Sequence, residues 1–323
     1  MIGKPSMEEK QGPSITETTP DDSQPRAGSQ PRRWFLRIGV GYLGICLVLT
    51  LLQRKLIYVP TQEEVISPRA YALPADRIES LSFLSEEGVE IKGWRVTAPK
   101  NIQNAVPASE RRAVIAFHGN GHHRGGRGYL FDLFNDLDCD VFIFDYPGYG
   151  ETAGSPSETP IHANAAQIWE LVTSEQDYQP GNIVIFGESL GGGVATQLAA
   201  RLSEAGDPPA GLILRSTFSS LVDAARSHYP WLPVSLLLSD RYESIEVIPQ
   251  VTCPLLIIHG TADRIVPYEL GKKLFDAAPT KSTSGTPKQM LTLERGDHNN
   301  VSHRVDSPLG VVVKAFLTEL KSY

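Results

Sequence analysis

Two apolar patterns divide the chain. Ile38 to Leu52 carries no charge, and counting back to Trp34 lengthens the run to 19 residues with Arg37 inside it. A bilayer-spanning helix needs about 20 apolar residues, and an arginine near its end can snorkel to the headgroups. Trp34 and Tyr58 flank the run, where interfacial aromatics sit. The spacing predicts a membrane anchor over residues 34–53. A cleaved signal peptide fits less well, because no small-x-small site follows the run. Leu43-Gly44-Ile45-Cys46 resembles a lipoprotein box only loosely, with bulky Ile45 where a small residue belongs. A buried helix of a soluble protein is the third reading.

The second pattern starts at Ile78. Ile78–Leu84 and Ile91–Thr97 alternate and predict a hairpin turning at Glu87-Gly88. Short, almost wholly apolar runs follow at Ala113–Phe117, Val141–Phe144, Ile183–Phe186, Leu212–Leu214, Leu255–Ile258 and Gln289–Leu293. Runs of this kind suit strands buried on both faces. Helical spacing fills Tyr129–Leu137, Ile161–Ser174, Gly191–Leu202, Tyr268–Ala278 and Leu309–Leu320. Strands alternating with helices predict an α/β fold with a mainly parallel sheet and helices on both faces. Such a sheet needs one contiguous core, so residues 55–323 are expected to form one domain. Ser216 to Val251 is too long for one crossover helix. Its apolar stretches, His228–Val234 and Leu236–Leu238, predict a short cap after the sixth strand.

Composition changes this picture at the amino end. Residues 1–33 hold five prolines and five charges of each sign, with almost no large apolar side chains. Such a segment cannot offset its ordering entropy by burial and reads as a disordered tail. The net charge of −7 disfavours nucleic-acid partners. Three cysteines exclude a disulfide scaffold. Arg26, Arg32, Arg33 and Arg37 precede the anchor, against Arg54, Lys55 and Arg69 after it. That slight bias puts the amino end inside and the domain outside the cytoplasm. Gly39-Val40-Gly41-Tyr42-Leu43-Gly44 matches a dinucleotide-binding pattern, but no strand precedes it, so its physics is missing.

The candidate chemistry sits at strand ends. Gly187-Glu188-Ser189-Leu190-Gly191 joins an apolar strand to a helix. A sharp strand-to-helix turn exposes the serine hydroxyl, and the flanking glycines let the two backbones approach. Serine needs a base. His298 follows the last strand and is the best placed, with His303 its rival. Asp263, beyond the strand at 255–258, would orient the imidazole. Asp297 is too close to His298 in sequence to do so, and Asp276 lies mid-helix. Two backbone amides are needed for an oxyanion: that of Leu190, and that of Asn120 or alternatively Gly121, in the glycine-rich loop His118-Gly119-Asn120-Gly121. His118 itself reads as structural. Asp145-Tyr146-Pro147-Gly148-Tyr149-Gly150 reads as a turn at the rim of the site. His122-His123 has no further ligand at metal spacing, so neither a metal nor another cofactor is expected.

These motifs, with Tyr229-Pro230-Trp231-Leu232-Pro233, His259-Gly260-Thr261-Ala262-Asp263-Arg264-Ile265-Val266-Pro267 and Gly296-Asp297-His298, resemble the α/β-hydrolase superfamily. More narrowly they resemble membrane-anchored Bem-type and abhydrolase-domain serine hydrolases. The resemblance covers most of the chain after about residue 55. It implies an eight-stranded sheet whose second strand is antiparallel, and ester, thioester or occasionally amide hydrolysis through an acyl-enzyme. A serine at position 189 disfavours the epoxide-hydrolase and dehalogenase branches. His122 departs from the small residue or Glu of most relatives. The family's strand order sets Cys139 and Cys253 before non-neighbouring strands, so no bridge is expected between them.

The expected activity is hydrolysis of a lipid-like ester or thioester at a membrane. A peptidase or aminopeptidase-like amidase would use the same triad. A non-catalytic binding module would keep the fold without labelling by a covalent serine probe.

Overall fold

The computed structural model describes residues 1–3, 12–14, 30–99 and 106–320. Most of the expected 1–33 tail lies outside them. Contacts divide the chain into two units, Met1–Leu47 and Val48–Tyr323.

Helix α1 runs Gln30–Ile57. It passes both expected ends of the anchor, because Gln53, Arg54 and Lys55 end the apolar run but favour helix. Its stretch Arg33–Ile57, 25 residues, is long and apolar enough to cross a bilayer. At 1.5 Å per residue it spans about 38 Å, against about 30 Å of hydrocarbon.

In the second unit, eight strands form one sheet in the order β1-β2-β4-β3-β5-β6-β7-β8. They are β1 Ile78–Leu84, β2 Glu90–Val96, β3 Ala113–Phe117, β4 Asp140–Phe144, β5 Ile183–Glu188, β6 Gly211–Arg215, β7 Leu255–Gly260 and β8 Gln289–Leu293. β2 pairs antiparallel with both β1 and β4, and every other pairing is parallel. The expected elements recur, three strands with the expected ends and the other elements with at least one end shifted, by no more than four residues.

The continuous apolar runs have a two-sided cause. Side chains alternate across a strand. Ile115, Phe142, Ile185, Leu212 and Ile257 face a core with α3 (Glu158–Glu170), α4 (Leu190–Glu204) and α8 (Tyr268–Ala277). Their neighbours Val114, Ala116, Val141, Val184, Ile213 and Leu256 face a second core with α2 (Gly128–Asn135) and α9 (Pro308–Glu319). Between β6 and β7 the cap consists of α5 (Leu221–His228), α6 (Val234–Leu237) and α7 (Ser244–Val247). It leaves Tyr229, Trp231 and Leu236 exposed. None of Cys46, Cys139 and Cys253 forms a disulfide among the described residues.

Candidate active site

The parallel strands end on polar side chains. His118 and Asp145 directly follow β3 and β4, Glu188 and Arg215 close β5 and β6, and His259 is the last residue but one of β7. All five are buried. An apolar run broken by a buried polar residue marks the carboxyl edge of the sheet, where α/β folds build sites.

Ser189 sits between β5 and α4 with φ 53° and ψ −119°. A non-glycine residue in that region costs about 1–3 kcal/mol and persists only when its surroundings hold it. They do: the Ser189 N–H donates to Arg215 O at 2.9 Å, while Ser189 O accepts from Gly192 N and Thr217 Oγ1, both at 2.9 Å. The glycines are required by close approach. A Cβ on Gly187 would lie 2.6 Å from Ala195 Cβ, and one on Gly191 would overlap the Phe117 carbonyl. Leu190 opens α4, so its amide has no carbonyl four residues back within the helix, and the helix dipole favours negative charge there.

His298 Nδ1 donates to Asp263 Oδ2 at 2.7 Å. The proton on Nδ1 leaves Nε2 with its lone pair, as a base requires. Asp263 Oδ1 accepts from the backbone N–H groups of Ile265 and Val266, at 2.9 and 2.8 Å. His259 Nε2, which donates to Val266 O at 2.9 Å, lies 3.4 Å from Asp263 Oδ2. Burial pushes the Asp263 carboxyl up, but the hydrogen bonds from His259 and His298 outweigh it and hold the group far below the usual carboxylate range. Asp263 is therefore an anion at neutral pH. Among the described residues no hydrogen bond joins the Ser189 hydroxyl to His298. Such bonds tighten when substrate arrives. Ser189, Asp263 and His298 are each 6–7% exposed.

Asn120 lies in the loop after β3. Its carbonyl accepts from Val59 N at 3.0 Å and from Tyr149 Oη at 2.7 Å. Gly121 O accepts from Arg127 Nη2 at 2.6 Å. The tyrosines of the Asp145–Gly150 turn brace this loop: Tyr146 Oη donates to His118 O at 2.8 Å. Burial holds His118 down to about 3, so it is neutral. Its Nδ1 donates to Gly119 O at 2.7 Å.

The other candidates lie elsewhere. His303 stacks on Tyr129 with ring centroids 4.3 Å apart, and burial with the nearby Arg215 charge lowers it to about 4. Asp297 accepts from Asn299 N, and Asp276 pairs with Lys272 on the surface. Among the described residues no cluster of His, Cys, Asp or Glu has the grouping of a metal site.

Sequence reasoning missed two features. Glu188 pairs with Arg215 at 3.0 Å and lies 3.9 Å from Arg127. His259 also escaped notice as a second support of Asp263. A charged residue ending each apolar run was the available signal.

Comparison with known proteins gives the geometry its lineage. Residues 108–247 match the family described as serine aminopeptidase, S33. An uncharacterized protein of Mycobacterium tuberculosis is 36% identical over 276 residues, 85% of this chain and 91% of that one. Lysophosphatidylserine lipase ABHD12 of Danio rerio is 32% identical over 290 residues, 80% of this chain and 75% of that one. The Pyrococcus furiosus esterase Pf2001 shares the fold, with a TM-score of 0.58 at 14% identity, over 81% of this chain and 99% of that one. The chain thus belongs to the α/β-hydrolase superfamily, as a serine hydrolase of the esterase/lipase type.

Proposed function

We propose that the chain hydrolyses esters or thioesters of lipid-like acyl groups through an acyl-enzyme on Ser189. The observation carrying this reading is the 2.7 Å bond from His298 to an ionised, buried Asp263, on the sheet edge that also holds the strained Ser189. His298 Nε2 takes the hydroxyl proton as Ser189 Oγ attacks the carbonyl. The amides of Leu190 and of Asn120, or alternatively Gly121, hold the oxyanion. The leaving group departs with the proton from His298. Water then attacks the acyl-enzyme, His298 again acting as base, and the acid and free serine result. Asp263 stays ionised throughout. No cofactor enters these steps.

Substrate class rests on the Danio rerio relative, whose name specifies a lysophosphatidylserine lipase, and on the apolar α1. A single-chain lysophospholipid fits both. We place the anchor at residues 34–53 and the hydrolase domain at 55–323, outside the cytoplasm. Protease added to intact cells should then digest the domain.

The test uses the full chain in detergent micelles. A fluorophosphonate probe should label wild type and not Ser189→Ala. Turnover of p-nitrophenyl esters should fall by about 10⁴-fold or more in that variant. Full esterase activity in Ser189→Ala would overturn the reading. A serine aminopeptidase is the second reading, favoured by the family description over residues 108–247. That match stops short of Asp263 and His298, so it does not choose the leaving group. Aminoacyl p-nitroanilides hydrolysed faster than esters would select it.

A further inference from the structure

The last turn of α1 and the residues after it thread across the carboxyl edge of the sheet. A helix leaves its last carbonyls without internal partners. Here the carbonyl of Ile57, the final residue of α1, accepts from Asn120 Nδ2 at 2.7 Å. Two residues on, Val59 N donates to Asn120 O at 3.0 Å. Asn120 is thus gripped by side chain and carbonyl, both from one segment, with Tyr149 as a third restraint. Its own N–H makes no hydrogen bond among the described residues.

The segment is itself fixed on either side. Tyr58, 2% exposed, donates to Asp240 Oδ2 at 2.8 Å and meets Tyr242 Oη at 2.9 Å. Asp240 and Tyr242 belong to the cap region between β6 and β7. Gln53 Oε1 accepts from Ser239 N at 2.7 Å. Further along, Glu63 N donates to Gly150 O at 3.0 Å, and Gly150 N donates to Thr61 O at 2.8 Å.

We infer that residues 53–63 are a positioning strap for the oxyanion site, with Ile57 and Val59 setting the plane of the Asn120 amide. This rests on the oxyanion assignment proposed above. An amide serves an oxyanion only when its N–H is aimed before the charge forms. A loop amide held by its own turn alone would reorient. Three hydrogen bonds to the rest of the residue, and none to the N–H, leave that N–H aimed and free.

The test compares wild type, Asn120→Ala, Asn120→Asp and Val59→Pro as full chains in detergent. Asn120→Asp keeps the shape but cannot donate to Ile57. Val59→Pro removes the N–H that Asn120 O accepts. Losing an oxyanion donor outright costs about 10²–10³ in turnover, so misaiming one should cost roughly 10–100-fold in kcat. KM for p-nitrophenyl butyrate should stay within about twofold. The inhibition constant of butylboronic acid, whose serine adduct carries the same tetrahedral oxyanion, should rise by the factor lost in kcat/KM. A purely structural strap would lower Tm and active fraction without moving that constant, and this result would overturn the inference. So would kcat within twofold of wild type in all three variants while Ser189→Ala is inactive. Wild type that neither labels nor turns over would instead sink the proposed hydrolase reading, and the strap's role with it.

Discussion

Glu188 precedes the proposed nucleophile and carries a charge that the fold has buried. Burial raises a carboxyl, but Arg215 and Arg127 outweigh it and hold Glu188 down to about 2. The unfolded chain would titrate it near its ordinary value of 4.5. The folded state binds fewer protons between these values. The pair therefore adds stability above pH 4.5, lost as pH falls toward 2. Removing one partner of a buried pair leaves the other uncompensated, at about 3–5 kcal/mol. Glu188→Gln should lower Tm by roughly 6–20 °C at neutral pH, allowing roughly 2–4 °C per kcal/mol. Thermal unfolding of the full chain in detergent checks this. An unchanged Tm would mean Arg215 finds water or another acceptor.

The histidines add acid sensitivity of the same sign, beginning at a higher pH. His303 is held near 4 and His118 near 3, each by burial, against 6.5 for a free imidazole. Below pH 6.5 the unfolded chain takes up protons that the folded chain refuses, so stability falls with pH. His303→Phe keeps a ring against Tyr129 and should flatten the Tm-against-pH curve between 6.5 and 4. An equally steep curve would assign the acid loss to His118 and the carboxylates.

These residues also mark where the sequence stopped being informative. That Ser189, Asp263 and His298 follow β5, β7 and β8 was legible, because each stands past an apolar run and local pattern fixes such places. The Glu188–Arg215 pair was not. The two are 27 residues apart and meet only because β5 and β6 pair in parallel with Glu188 opposite Arg215. Sequence spacing carries no register between strands, so partners across a ladder stay hidden until the pairing is known.

At the scale of elements, the turn from β5 to α4 carries the most constraint. Gly191→Ala would drive a methyl into the Phe117 carbonyl, backbone of the neighbouring strand that cannot swing aside. Overpacking of this kind costs about 1–3 kcal/mol, and here it would move β3 against the serine turn. We expect a fall of more than tenfold in kcat together with a lowered Tm. A variant with wild-type kcat would show that β3 and α4 can separate without disturbing Ser189. Strands β3 and β8 were legible to the residue, since apolar runs bounded by polar loops define their own ends. The end of α1 was not. Gln53, Arg54 and Lys55 look like an exit from the bilayer, yet the helix continues, because their propensity is helical and Asn120 caps its last carbonyl.

At the scale of the molecule, the proposed anchor and the proposed oxyanion loop are linked by one stretch of chain. Residues from Val48 on group with the hydrolase fold rather than with the preceding part of α1. Gln53, Ile57, Tyr58 and Val59 bond to the cap region and to the loop after β3. The span that would hold the protein in a bilayer therefore runs directly into groups that hold Asn120. Two deletions separate the roles. Removing residues 1–47 leaves those bonds intact and too few apolar residues for a span of about 20. The product should lose stable membrane insertion and keep kcat within about threefold. Removing residues 1–60 also takes Ile57, Tyr58 and Val59. It should label weakly with fluorophosphonate and lose at least tenfold in kcat even where circular dichroism shows a folded sheet. Equal turnover by the two products would mean that the anchor only tethers the enzyme. A loss confined to the longer deletion would mean that a residue at the membrane exit helps to build the site.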